Sequence, residues 1–212
     1  EGSDHLLILS NEITAFMPSR PMDWATGTVY SEAVNINDCE DVTFYGNVID
    51  VTSNNQIGSY ATLYVVEIRA SDVEVAENSI TLVNAQSGYA LVMSGEDLNI
   101  EANDIYVSDL QPYACGINIE SKSEAEITGN FIVMSGDSAY GIYTANWAGD
   151  VVASIEDNAI LIEGNTIFGM SLSGSEATVE DNIIIAIGNY TTGIASAVNQ
   201  IDILDNKINV KS

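Results

Sequence analysis

An apolar residue, two further residues, an asparagine, one more residue and a second apolar residue make a pattern that recurs along the whole chain. It reads Ile8/Asn11/Ile13, Phe44/Asn47/Ile49, Val75/Asn78/Ile80, Ile100/Asn103/Ile105, Ile127/Asn130/Ile132, Ile155/Asn158/Ile160, Val179/Asn182/Ile184 and Ile203/Asn206/Ile208. The asparagines are separated by 36, 31, 25, 27, 28, 24 and 24 residues. Self-similarity at a period of roughly 20–50 residues marks a repeat array in which each unit buries its apolar face against the next.

Within one unit the side chains alternate apolar and polar, the mark of a half-buried strand. Val73 and Val75 lead into Asn78, and Ile80 and Leu82 follow it; Ala125 and Ile127 flank Asn130 in the same way with Ile132 and Met134. Two short strands therefore meet at a bend. Asparagine tolerates the left-handed backbone region and can bond its side chain to nearby backbone, so it is expected to occupy the bend itself. Stacked copies would then form an amide ladder inside the coil.

A third strand precedes each bend, seen as a small residue followed by an apolar one in Ala90-Leu91, Gly116-Ile117, Gly141-Ile142, Gly169-Met170 and Gly193-Ile194. Three strands and three turns per repeat make one rung of a parallel β-helix. No stripe of helical period appears. The fold expected is all-β: a single-stranded parallel β-helix, right-handed, of about eight rungs of three short strands. It is read as one domain over residues 1–212, a piece of a longer surface protein because neither end supplies a clear cap. Lateral loops are expected near 16–26, 52–59 and 144–150.

Charge narrows the function. The net charge is −26, from 31 acidic and 5 basic residues, which argues against a nucleic-acid partner. No run of apolar residues is long enough for a transmembrane helix. Acids crowd the bend at Glu77, Glu101, Glu156, Asp157, Glu180, Asp181 and Asp205, so stacking would place them in a ridge of like charge. Calcium suits such oxygen ligands, but no calcium-loop motif supports it. The ridge reads as a solvated, self-repelling surface, and no cofactor is expected.

Catalytic motifs are missing too. His5 stands alone, and acid pairs such as Asp72/Glu74 and Glu124/Glu126 are too common in so acidic a chain to carry weight. Arg69 would be the base of a lyase; its plainer reading is an ion pair with Glu67 or Asp72. Cys39 and Cys115 lie nearly three rungs apart, too far to bridge, and are expected to be buried thiols. Tyr60, Tyr89, Tyr140 and Phe168 precede the small residue of the third strand and read as an aromatic stack at a corner of the coil. Trp24 and Trp147, in the lateral loops, are the candidate ligand-binding residues. Asn189-Tyr190-Thr191 is a glycosylation sequon placed in a turn.

The repeated G-N-V-I, E-N-S-I and D-N-A-I bends, with A-Y-G-I-Y and T-T-G-I-A third strands, resemble right-handed β-helix repeat proteins. Nearest in look are adhesin-like surface proteins of methanogenic archaea. That resemblance implies a non-enzymatic extracellular or cell-surface module, either adhesin-like and contacting glycans or another cell, or a structural spacer with no ligand. The same fold serves pectate lyases, polygalacturonases and pectin methylesterases, which keeps a carbohydrate-active enzyme as the alternative. The polygalacturonase signatures are missing here, and Asn165-Thr166-Ile167 lacks the expected aspartate.

Overall fold

The structure, a computed structural model, describes residues 5–18, 29–54, 61–85, 87–120, 123–145 and 151–212. Fifteen strands form one sheet wound into a parallel β-solenoid. Every described pairing is parallel. The first face stacks β1 (His5–Leu9), the ends of β3 (Val29–Tyr45) and β5 (Ala61–Ala76), then β8 (Asp97–Glu101), β10 (Ser123–Thr128) and β12 (Val151–Glu156). The ends of β13 (Ala159–Glu180) and β14 (Ile183–Leu204) complete it. After the asparagines, the second face stacks β2 (Glu12–Pro18), β4 (Val48–Asn54), β6 (Ser79–Val83) and the starts of β9 (Asp104–Ile119) and β11 (Phe131–Thr144). The starts of β13 and β14 and then β15 (Lys207–Lys211) continue it. The third face takes the starts of β3 and β5, all of β7 (Ser87–Ser94), the ends of β9 and β11, and the middles of β13 and β14.

Alternation along each strand fills the interior. Phe44, Val75, Ile100, Ile127, Ile155 and Val179 are fully buried on the first face, and Ile49, Ile80, Ile105 and Ile184 on the second. This buried core runs through about five turns rather than eight rungs. The physical reason is at the ends: Asn47 to Asn182 bound the part with neighbours on both sides, while the outer copies at Asn11 and Asn206 have one neighbour each and stay partly exposed.

The bend is built differently from the sequence expectation. The left-handed residue is the one before each asparagine: Ser10, Gly46, Glu77, Ala102, Gly129, Asp157, Asp181 and Asp205, with φ between 50° and 67°. That turn lets the asparagine point inward, where it is needed for bonding. The N–H and Nδ2 of Asn103 both donate to Asn130 Oδ1, at 3.0 and 2.9 Å, and Nδ2 also donates to the Val75 carbonyl at 2.8 Å. The same bonds link Asn11, Asn47, Asn78, Asn103, Asn130, Asn158, Asn182 and Asn206 in one series.

On the third face the small residues form a buried column for a steric reason. A Cβ added at Gly141 would come within 2.5 Å of the Gly169 carbonyl oxygen, and one at Gly169 within 2.6 Å of that of Gly193. Strand β2 runs to Pro18, β4 to Asn54 and β11 to Thr144, so the near edges of the three expected lateral loops are strand. Beyond the buried Ala145, their remainder, including Trp24 and Trp147, lies outside the described residues. No helix among the described residues is long and apolar enough to cross a membrane.

Candidate functional site

Residues flanking the small–apolar pair of the third strand point outward, and strand register aligns them across rungs. The position before the pair holds Tyr64, Tyr89, Tyr140 and Phe168. Tyr113, two residues ahead of the aligned Cys115, brings its ring into the same row. Ring centroids are 5.1 Å apart for Tyr64–Tyr89, 5.3 Å for Tyr89–Tyr113, 5.1 Å for Tyr113–Tyr140 and 4.9 Å for Tyr140–Phe168. The last pair is stacked at 7°. Rings that cover one another this closely stabilise the corner and leave little face for a sugar. Tyr143 is different: it meets Tyr140 edge-on at 64°, and the residues aligned beyond it are small, Ser171 and then Ala195.

The position after the pair holds Glu67, Val92, Asn118, Tyr143 and Ser171. Glu67 is 4% exposed and is the one buried charged side chain among the described residues. Burial pushes its carboxyl above the ordinary value, against the opposing pull of Arg69. Arg69 Nη2 donates to Glu67 Oε1 at 2.6 Å and lies 3.6 Å from Glu120 Oε2. Asn118 Nδ2 donates to Glu120 Oε1 at 2.9 Å. Glu120 is thus held from both sides, and Arg69, with 55% of its side chain exposed, is oriented by two carboxyl groups. The bond to Glu120 also fixes which end of the Asn118 amide is nitrogen. Its oxygen is buried without a hydrogen-bond partner.

Tyr89, Tyr113 and Cys115 all have their ionisation pushed well up by burial, so none supplies a reactive anion. Cys115 is fully buried, whereas Cys39 is only partly so, and both are free thiols. Arg69 pairs with Glu67 rather than Asp72. Asp72, Glu74, Glu124 and Glu126 instead line an open trough of about 550 Å³ on the first face, with His5, Asp41 and Asp97. Among the described residues, no three His, Cys, Asp or Glu side chains are placed to hold one metal ion. Asn189 is exposed within β14 rather than in a turn, and its Nδ2 donates to Asn165 Oδ1 at 2.9 Å.

Sequence reasoning named Glu67 and Arg69 but passed over Asn118 and Glu120, which only strand register brings near them. A signal was there: the residue after each small–apolar pair is Val92, Asn118, Tyr143, Ser171 and Ala195 in turn. Compared with known proteins, the chain matches no family model, no curated protein and no solved structure.

Proposed function

We propose that this chain is a non-enzymatic, extracellular adhesin-like module that binds glycans on another cell or surface through the outer side of its third face. The observation that carries the reading is Glu67. A buried charge lowers stability unless it is paired, and here it is paired with a side chain that is itself half in solvent. Such departures from an otherwise consistent repeat concentrate at functional sites. Arg69, Asn118 and Glu120 add hydrogen-bonding groups suited to hydroxyls, and Tyr143 offers an aromatic surface beside them.

A glycan array probed with the purified chain, with and without millimolar calcium, tests this when joined to mass spectrometry of the products. Saturable binding without product is the expected result. Binding to no glycan contradicts it.

A second reading, a carbohydrate-active enzyme, is favoured by one observation. Glu67 and Glu120 both contact Arg69 Nη2, at 2.6 and 3.6 Å. Their oxygens can lie no farther apart than those contacts end to end, a range that includes the ~5–5.5 Å of a retaining glycosidase pair. One carboxyl is raised by burial and the other is held between donors, the division of roles an acid and a nucleophile need. The guanidinium, however, occupies the space between them where substrate would sit, so binding ranks first. Shortened or unsaturated sugars among the products would reverse that order.

A further inference from the structure

We propose that Asn118, Glu120 and Arg69 form a subsite for an uncharged saccharide, in which a sugar hydroxyl donates to Asn118 Oδ1 and another accepts from Arg69. The inference rests on the glycan-binding reading and adds the residues and the ligand class.

Asn118 supplies the first argument. Residue 118 is 2% exposed, and its amide oxygen is the one buried side-chain polar atom without a partner among the described residues. The ladder asparagines from Asn47 to Asn206 show what the fold does when an amide serves stability alone, with each oxygen accepting two bonds. An unmet buried acceptor costs about as much as a lost hydrogen bond, so its persistence here asks for a donor from outside. Its aligned neighbours, Val92 and Tyr143, offer no such donor at the oxygen.

Access is the second. Because the oxygen is shut off from solvent, one covering side chain has to turn aside before a hydroxyl reaches it. Tyr143 is aligned next to Asn118, and the residues aligned beyond it, Ser171 and Ala195, are small.

Charge selects the ligand class. Arg69, the one cation of the cluster, is matched by the carboxyl groups of Glu67 and Glu120. The cluster therefore offers hydrogen bonds without an unmatched positive charge to attract an anion. Around it the chain carries a net charge of −26, which repels uronates, sialylated and sulfated glycans. A neutral hexose or N-acetylhexosamine oligomer meets both conditions.

The test uses the whole chain on an array of neutral hexose and N-acetylhexosamine oligomers beside uronate, sialylated and sulfated ones, followed by calorimetric titration of the tightest hit. The expected result is binding confined to neutral glycans, with Asn118→Leu weakening it roughly tenfold, the loss of one well-made hydrogen bond. Asn118→Ala, which adds no bulk, should weaken it equally, and the denaturation midpoint of each variant checks that both remain folded. Parental affinity in both variants would overturn the subsite while leaving glycan binding in place. Binding of acidic glycans alone would overturn the ligand class. Binding of no glycan by the parent would remove the underlying reading and this inference with it.

Discussion

The bend asparagines from Asn47 to Asn182 and Asn118 are the same residue type in the same coil, both closed off from water, and they are treated in opposite ways. At the bend, every amide oxygen from Asn47 to Asn206 receives the N–H and Nδ2 of the asparagine one rung back, so the column has no bare acceptor. On the third face, Asn118 donates to Glu120 and its oxygen meets nothing. One arrangement repeats with the rungs and locks them in register; the other occurs once. A fully satisfied network stabilises and rigidifies, whereas a partly satisfied one is a weak point unless something else completes it. The difference separates what holds this solenoid together from what it has available for a partner.

Breaking the ladder should have the largest effect. Asn130→Leu strips the acceptor from the N–H and Nδ2 of Asn103 and removes one of the two donors to Asn158 Oδ1 and the side-chain donor to the Ile100 carbonyl. At about 1–3 kcal/mol for each buried group left bare, the midpoint of urea unfolding should fall steeply. Gly169→Ala comes next. Its new Cβ would lie 2.4 Å from Ile184 Cγ2 and 2.6 Å from the Gly193 carbonyl oxygen, and overpacking of this kind costs about 1–3 kcal/mol, readable as a lower thermal midpoint.

Glu67→Gln probes the other region through pH. The folded chain holds this proton more tightly than the unfolded chain does. The stability Glu67 contributes is therefore complete below the ordinary value of 4.5 and is lost as pH rises through its raised folded value. The glutamine variant should gain stability relative to the parent across that window; a difference that stays constant with pH would contradict the burial of this carboxyl. The smallest effect is a gain. Ala102 sits at φ 52°, in the left-handed region that favours glycine, so Ala102→Gly should raise the unfolding midpoint by about 0.5–1 kcal/mol of stability.

Much of the fold was legible because a stacked repeat writes its register into the sequence. The spacing of Asn103, Asn130 and Asn158 and the alternation around each show the strands, the bend and the inward face together. What was misread came from geometry that spacing does not carry. Asparagine at the bend suggested a left-handed asparagine, yet Ala102 and Asp157 take that conformation so that Asn103 and Asn158 can face inward. Of the aromatic row, Tyr89, Tyr140 and Phe168 were visible. Tyr113 escaped because the aligned position before the pair holds Cys115, and Tyr113 joins the row from two residues earlier. Tyr60 lies outside the described residues, and Tyr64 stands in that row. The outer network was the least legible part. Glu67 and Asn118 are far apart in sequence, and nothing local in either strand says that Arg69 reaches across β7 to Glu120.

The most direct measurement is chemical denaturation of the parent, Asn130→Leu and Asn118→Leu side by side. The ladder variant should lose several kcal/mol through its stranded donors and acceptors. Asn118→Leu should stay within about 1 kcal/mol of the parent, because it removes an unmet acceptor and leaves Glu120 its contact with Arg69. Equal midpoints for Asn130→Leu and the parent would contradict the ladder as the element holding the coil together. A loss at Asn118 as large as that at Asn130 would make the two regions structurally alike and end the division between them.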